Sequence, residues 1–327
     1  PDAARARIAS ELAAIPLHRY PDPRASALRA ALAEYTGAQP DELVIGVGSD
    51  ELIAILETAF ARPRAGRERA IVLHPDPSFS MYGIIGRGRG LDAVKVPLDG
   101  SFGIDVAAFE RAIEAHRPHL VFLPSPNNPT GNGFEEGALR SIVRAAPDAL
   151  VVIDDAYVEF ASKGSCSHAL YGEHENVAVL GTLSKIGMAA LRVGWVRARP
   201  WLAHELEKIR LPYNMPQPSQ QIATLMLREL MPTVRDQIDA ILRARARLIP
   251  RLAAMPGLTP CPTDANFVLV HVGGAGAPAL AARLHAAGIQ VRSFAGHPRL
   301  AEHVRITIGT EPENDALLAA LSGALVP

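Results

Sequence analysis

The sequence predicts an α/β fold, in which a mainly parallel sheet is flanked by helices and a smaller α+β C-terminal domain follows. Three observations support this prediction. Short apolar runs alternate with amphipathic stretches between about residues 40 and 199, which is typical of parallel strands connected by helices. A segment with three prolines, at 210–220, interrupts the helical pattern and reads as a connection between domains. Two further strand candidates then follow with a helix candidate between them.

Seven apolar runs are the strand candidates of the first part of the chain. They are ELVIG, RAIVLHP, LDAVKVP, HLVFLP, ALVVID, NVAVLG and RVGWV. Between several of these runs, residues 51–62, 105–116 and 135–146 carry apolar side chains at helical spacing. Nearly continuous apolar strands are buried on both faces. We therefore expect a seven-stranded sheet between two layers of helices.

The second part of the chain predicts a smaller domain. Its strand candidates are residues 266–270 and 304–308, and its helix candidate, 278–287, begins at a proline and ends before Gly288, as helices prefer. We expect a helical arm at 1–19 associated with this small domain, a large domain at 20–212 and the small domain at 213–327.

Composition excludes several classes of protein. The chain has 327 residues and a formal net charge of -1, whereas nucleic-acid and membrane-surface proteins carry a clustered excess of Lys and Arg. Its two cysteines, Cys166 and Cys261, form no CxxC pair, so neither a disulfide framework nor a zinc site is indicated. No apolar run is long enough to span a membrane. We expect a cytoplasmic protein that binds no metal, no nucleic acid and no membrane.

Four motifs stand at the ends of strand candidates. They are GVGSDE at 46–51, PSPNNPTGN at 124–132, VIDDAYVEF at 152–160 and TLSK at 182–185. In open α/β sheets, ligands bind in the crevice outside the carboxyl ends of the strands. We therefore expect the four motifs to meet at one ligand site.

The lysine of TLSK is unusual because small and apolar residues surround it in the sequence. A cofactor with an aldehyde, a pyridine nitrogen, a phenolic oxygen and a phosphate would require such a lysine to form a Schiff base. It would also require a carboxylate at the ring nitrogen and hydrogen-bond donors at the phenolic oxygen. Its phosphate would suit a helix N-terminus with hydroxyls and an arginine. The four motifs contain a candidate for each requirement.

SPNNPTG, DDAY and TLSK, in this order, resemble the motifs of fold-type I pyridoxal-phosphate aminotransferases. The chain is most similar to histidinol-phosphate aminotransferases, from HRYPDP at residue 18 to RITIGT at residue 310. The resemblance implies the cofactor pyridoxal 5'-phosphate. It also implies ping-pong transfer of an amino group between histidinol phosphate and 2-oxoglutarate, a reaction of histidine biosynthesis.

The resemblance implies a role for each residue that would contact the reactive part of the cofactor. Lys185 holds the cofactor covalently and then moves a proton at the substrate carbon. Asp154 pairs with the ring nitrogen, while Tyr157 and Asn128 donate hydrogen bonds to the phenolic oxygen. We expect burial to depress the pKa of Lys185, because a buried ammonium is poorly solvated.

Further residues are implied in binding the rest of the cofactor. Phe79, in PDPSFSMY, takes the position of a ring that stacks on the cofactor. Arg192 lies seven residues after Lys185, where many relatives have eight. The residues implied in phosphate binding are Gly48, Ser49, Asp50, Thr182, Ser184 and Arg192.

Substrate binding and assembly are also implied by the resemblance. Arg305 would grip a substrate carboxylate by its planar fork, Arg292 would bind the substrate phosphate, and Asn128 would contact the substrate. Tyr20 would reach the active site of a neighbouring subunit, so the expected assembly is a homodimer acting on small molecules.

Other functions remain open at this point. Aromatic amino acids are competing amino donors, and a decarboxylase of a phosphorylated amino acid would use the same lysine, aspartate and tyrosine. A dinucleotide-dependent oxidoreductase is a weaker alternative, because LVIGVGSDE has Glu51 in place of the third glycine of the fingerprint. A non-catalytic, cofactor-sensing regulator with this fold would normally carry a DNA-binding module upstream.

Overall fold

Seven strands form the larger sheet of the computed structural model, which describes residues 1–274 and 276–324. In chain order the strands are Leu43–Val47 (β1), Ile71–Asp76 (β2), Asp92–Pro97 (β3), Leu120–Pro124 (β4), Leu150–Asp154 (β5), Val177–Thr182 (β6) and Val193–Arg197 (β7). Their order across the sheet is β1-β7-β6-β5-β4-β2-β3. β7 runs antiparallel to both of its neighbours, and the other pairs are parallel. Each strand overlaps one of the seven predicted runs.

Helices cover both faces of this sheet. After the N-terminal helix Asp2–Ala13 (α1), which packs elsewhere, the covering helices are Ser26–Thr36 (α2), Gly48–Ala59 (α3), Met81–Gly88 (α4), Val106–His116 (α5), Glu136–Ala145 (α6), Ser167–Glu173 (α7) and Pro200–Ile209 (α8). Successive residues of β4 belong to different cores, with Phe122 packed on one face and Val121 and Leu123 on the other. Because side chains alternate along a strand, this arrangement explains why the runs are apolar without interruption.

The smaller sheet has four antiparallel strands in the order β10-β11-β9-β8. They are Leu258–Pro260 (β8), Phe267–Val272 (β9), Arg292–Ser293 (β10) and His303–Thr307 (β11). The later helices are Gln217–Leu225 (α9), Met231–Ala253 (α10), Ala277–Ala286 (α11) and Glu311–Ala324 (α12). β9, α11 and β11 coincide with the predicted elements, whereas β8 and β10 are too short to give a period in the sequence.

The helix α10 packs on the large sheet at its start and on the small sheet further along. Met215, Val234 and Ile238 are buried in a cluster with residues of β1 and β7, whereas α10 from Ala244 onward packs with the small sheet. The N-terminal helix α1 lies against α9 and the turn after it, where Arg7 forms an ion pair with Glu229. The division of the chain into a helical arm at 1–19, a large domain at 20–212 and a small domain at 213–327 stays a prediction.

The first turn of α3 approaches β7 closely. A Cβ atom added to Gly194 of β7 would lie 2.7 Å from the carbonyl carbon of Gly48 and 2.9 Å from the backbone nitrogen of Ser49. Glycine at 194 therefore lets the N-terminus of α3 reach the end of the sheet where the predicted ligand site lies.

We expect Gly194→Ala to destabilise the protein by about 1–3 kcal/mol, because the added methyl group overpacks a backbone contact that cannot yield. The measurement is the melting temperature of each purified variant. Gly137→Ala in α6 is the matched control, since a Cβ there meets nothing within 4 Å. A Gly194→Ala protein that melts with the control would contradict the importance of this contact.

No helix within the described ranges is long and apolar enough to cross a membrane.

Candidate active site

The four motifs meet at the carboxyl edge of the large sheet. β1, β4, β5 and β6 end at Val47, Pro124, Asp154 and Thr182, and each motif contains one of these end residues. Pro124 and Asp154 are partners in the register of two parallel strands. One cavity lies at this edge, and its lining includes the predicted residues Ser49, Phe79, Asn128, Asp154, Tyr157 and Lys185.

Lys185 lies in a single 3-10 turn, Leu183–Lys185, directly after β6. Its side-chain amine stands over the ring of Tyr157, 5.4 Å from the ring centre. Burial lowers the pKa of Lys185 below its ordinary value, and the negative charge of Asp154 opposes that shift. The pKa of Lys185 is thus lowered, as the sequence predicts. A lower pKa increases the fraction of neutral, nucleophilic amine.

Asp154 is the last residue of β5 and is 4% exposed. Its Oδ1 accepts a hydrogen bond of 2.9 Å from the backbone N–H of Ala156, and its Oδ2 accepts one of 2.6 Å from the hydroxyl of Tyr82. Burial raises the pKa of Asp154, while these two donors and the charge of Lys185 act in the opposite direction.

The neighbouring carboxylate, Asp155, has a different place. It accepts hydrogen bonds from the hydroxyls of Ser165 and Ser167, and burial raises its pKa to about 7. Of the two aspartates in DDAY, the structure places only Asp154 in the lining of the cavity. A carboxylate that faces the cavity can serve a ligand, and Asp155 instead ties the start of α7 to the sheet.

Tyr157 and Asn128 also bring polar groups to the lining of the cavity. Oδ1 of Asn128 accepts a hydrogen bond of 2.5 Å from a guanidinium nitrogen of Arg305. Because a guanidinium can only donate, this contact fixes which end of the amide is oxygen and leaves the NH2 group to serve another acceptor. Burial raises the pKa of Tyr157 to about 12, so its phenol keeps the proton that it would donate.

The residues predicted to bind phosphate gather at the N-terminus of α3. Gly48 begins this helix with φ +78°, and a Cβ added there would lie 2.4 Å from Nη2 of Arg192. The guanidinium of Arg192 also lies 3.5 Å from Oγ of Ser184 and 3.4 Å from a carboxylate oxygen of Asp50, and the hydroxyls of Thr182 and Ser184 are 2.8 Å apart. The spacing of seven residues after Lys185 therefore brings the arginine to the helix N-terminus.

This arrangement fits a phosphate group. A helix N-terminus supplies unpaired N–H groups and a positive dipole end, which attract an anion. The hydroxyls and the guanidinium add donors at the same place, and the missing side chain at Gly48 lets the guanidinium of Arg192 approach the backbone closely. These donors suit the phosphate of the predicted cofactor, so the residues present fit this group.

Arg292 and Arg305 face each other across β10 and β11 as direct register partners. The guanidinium of Arg305 lies over the ring of Phe267, 5.0 Å from its centre. Burial lowers the pKa of Arg305, and the charge of Arg292 acts in the same direction. Two like charges opposite each other destabilise a sheet, and this pair places concentrated positive charge next to Asn128 of the cavity lining.

Tyr20 lies outside this cavity. Its side chain is 82% exposed and packs against Tyr213, with ring centres 4.9 Å apart. The predicted contact of Tyr20 with a neighbouring subunit stays a prediction.

Tyr82 is a residue of the site that the sequence analysis missed. It stands three residues after Phe79 in PDPSFSMY, at the start of α4. A residue three positions after a ligand-facing residue at a helix start lies on the same face. The spacing from Phe79 could therefore have pointed to Tyr82 as a site residue. It could not show that the hydroxyl reaches Asp154.

Comparison with known proteins decides the family. The sequence model described as "Aminotransferase class I and II" matches residues 1–321. The chain belongs to this family. Among its relatives, histidinol-phosphate aminotransferase of Methylibium petroleiphilum is 41% identical over 99% of this chain and 86% of its own length. The enzyme of the same name from Chromobacterium violaceum is 42% identical over 96% of this chain and 86% of its own length.

A solved structure supports the same fold for this aminotransferase. Histidinol-phosphate aminotransferase from Sinorhizobium meliloti, in complex with pyridoxal-5'-phosphate, has a TM-score of 0.87 and 27% identity. The match covers 99% of this chain and 87% of that one. The predicted family resemblance, the fold class and the assignment as a pyridoxal-phosphate-dependent aminotransferase are therefore confirmed.

Proposed function

We propose that this aminotransferase moves an amino group between histidinol phosphate and 2-oxoglutarate by a ping-pong mechanism. The observation that carries the proposal is the pairing of Arg292 with Arg305 across β10 and β11, because Arg305 also contacts Asn128 in the cavity lining. The two relatives named histidinol-phosphate aminotransferase, at 41% and 42% identity over nearly the whole chain, support this substrate.

The two arginines suit the different anions of the two substrates. 2-Oxoglutarate has a carboxylate beside its reacting carbon and another at its far end. Histidinol phosphate has no carboxylate and offers only its phosphate. Arg305, next to the cavity, would grip the carboxylate beside the reacting carbon. Arg292 would bind the more distant anion of either substrate, whereas an aromatic amino acid would leave Arg292 without a partner.

The residues of the cavity have defined tasks in this proposal. Bound pyridoxal phosphate supplies an electron sink for the carbon that loses a proton. Lys185 would attach the cofactor through its amine and would then hold and move the proton at that carbon. Asp154 would accept a hydrogen bond from the ring nitrogen, and Tyr157 and Asn128 would donate to the phenolic oxygen. The residues that would hold the phosphate are Gly48, Ser49, Asp50, Thr182, Ser184 and Arg192, and Phe79 would stack on the ring.

A homodimer is part of the proposal. Leu17, Tyr20, Leu211 and Tyr213 are large apolar side chains that are 45% or more exposed, and exposed apolar surface is typical of an interface. Tyr20 would then reach the cofactor phosphate of the neighbouring subunit. Cytoplasmic location remains a prediction.

The experiment that tests the function follows visible absorption of the purified protein with pyridoxal phosphate. Adding histidinol phosphate should remove the visible band of the enzyme-bound cofactor, and adding 2-oxoglutarate should restore it. A band that histidinol phosphate leaves unchanged, but that an aromatic amino acid removes, would contradict the proposed donor. Release of carbon dioxide from a phosphorylated amino acid would indicate the decarboxylase instead.

The lowered pKa of Lys185 predicts the pH dependence of cofactor capture. The neutral amine is the nucleophile, so the capture rate should rise with pH and level off below the ordinary lysine pKa of 10.5. Asp154 and Asp50 oppose this shift, while Arg305 and Arg192 add to it. The measurement is the initial rate at which the visible band forms after mixing, from about pH 6 to about pH 11, with N-acetyllysine as reference. A profile that coincides with the reference would contradict the prediction.

A further inference from the structure

The resemblance gives no role to Tyr82, the last residue of PDPSFSMY, yet its side chain contacts the central carboxylate of the site. Its hydroxyl donates a hydrogen bond of 2.6 Å to Oδ2 of Asp154. We propose that Tyr82 is a positioning residue for the cofactor, which keeps Asp154 ionised and oriented to accept a hydrogen bond from the pyridine nitrogen. This inference rests on the role proposed above for Asp154.

The ring of Tyr82 is fixed on two sides. It stacks on Phe122 of β4, with ring centres 4.5 Å apart and planes 8° from parallel, and it meets the edge of Phe79 at 5.5 Å. Tyr82 is fully buried. Phe122 stands two residues before Pro124, the register partner of Asp154. Stacking on Phe122 therefore determines where the hydroxyl lies, and little side-chain entropy remains to be lost when it donates.

The hydrogen bonds leave the carboxylate able to act. Each carboxylate oxygen can accept two hydrogen bonds, and Oδ1 and Oδ2 receive theirs from the N–H of Ala156 and from Tyr82. A further position for the N–H of the cofactor ring remains. A buried carboxylate without such donors favours its protonated form, which could no longer accept in the same way. Tyr82 thus maintains the form of Asp154 that the cofactor requires.

The phenol of Tyr82 stays protonated and can donate its hydrogen bond to Asp154 throughout the pH range in which the enzyme works. Burial and the negative charge of Asp154 raise the pKa of Tyr82 well above its ordinary value. Asp50 and Tyr157 also act on Tyr82 in this direction, and Lys185 acts on Asp154 to favour its charged form. The donor is therefore permanent, whereas Lys185 changes its charge when it binds or releases the cofactor. Tyr82 is the side chain that supports Asp154 in both states.

A double-mutant cycle tests whether Tyr82 acts through Asp154. The variants are Tyr82→Phe, Asp154→Asn and the double variant, and the measurement is the dissociation constant for pyridoxal phosphate. Tyr82→Phe should weaken binding roughly 10- to 100-fold when Asp154 is present, as expected for a hydrogen bond to a charged group. It should have little effect when Asp154 is already Asn.

Tyr171→Phe is the matched control. Tyr171 is also buried and donates a hydrogen bond of 2.9 Å to a carboxylate, that of Glu42, but it is absent from the lining of the cavity. This variant should bind the cofactor as the wild type does. The rise in melting temperature with added pyridoxal phosphate gives a second reading of each affinity, including that of a variant too unstable to titrate.

The outcomes separate the inference from the proposed function. Equal losses of affinity on Tyr82→Phe with Asp154 and with Asn at 154 would mean that Tyr82 only shapes the cavity, and would overturn the inference. Unchanged affinity with Asp154 present would overturn it as well. If the cycle shows coupling but histidinol phosphate does not react, the proposed substrate fails and the role of Tyr82 stands. A wild type that binds no pyridoxal phosphate would overturn both.

Discussion

Lys185→Ala should lose transamination by roughly 10⁴-fold or more, because one amine provides both the covalent attachment and the proton transfer. The purified variant should still bind pyridoxal phosphate, since the donors around Arg192 and the N-terminus of α3 are intact. It should lack the visible band of the attached cofactor. The measurement is a single-turnover reaction with histidinol phosphate, followed by absorption.

Two variants make this prediction specific. Lys208→Ala is the control, because Lys208 lies on α8 with a side chain that is 56% exposed and pairs with Glu205. It should react as the wild type does. Lys185→Arg keeps a positive charge near Asp154 but offers no neutral amine, so it should be as inactive as Lys185→Ala. Substantial activity in either Lys185 variant would show that another group moves the proton.

Local patterns in the sequence sufficed to predict the large sheet. Its strands are buried on both faces, and a strand of this kind gives a continuous apolar run such as LVFLP in β4. The direction of β7 could not be predicted in the same way. Its residues pair antiparallel with both β6 and β1, yet an apolar run has the same composition in either direction. Strand direction depends on the connections and on packing, which lie outside the pattern of a single strand.

The residues of the site also fall into two groups, those that local sequence predicts and those that only packing brings together. Lys185, Asp154 and the phosphate-binding residues lie directly after strands or at the first turn of a helix, and such positions can be predicted because strand ends converge. The contact between Tyr82 and Asp154 joins residues 72 positions apart, and it depends on the stacking of Tyr82 on Phe122. The hydrogen bond from Arg305 of the small sheet to Asn128, in the loop after β4, joins residues 177 positions apart. Contacts of this kind arise only when the elements pack.

The proposed function gives Arg305, which lies next to Asn128 of the cavity lining, a task that differs between the two half-reactions. Arg305→Gln should slow the half-reaction with 2-oxoglutarate on the order of 10²- to 10³-fold, because a partly buried charged pair with the carboxylate is lost. The half-reaction with histidinol phosphate should slow much less, since this substrate has no carboxylate beside its reacting carbon. Arg292→Gln should slow both, because each substrate carries a distant anion.

The comparison is made by measuring each half-reaction separately, with the absorption of the bound cofactor as the signal. Arg305→Lys keeps the charge but loses the planar fork, so it should recover only part of the rate. Because Arg305 also binds Asn128, the affinity for pyridoxal phosphate must be measured in the same variants. Equal slowing of both half-reactions by Arg305→Gln, with unchanged cofactor affinity, would mean that this arginine binds an anion common to both substrates. The tasks of Arg292 and Arg305 would then have to be exchanged.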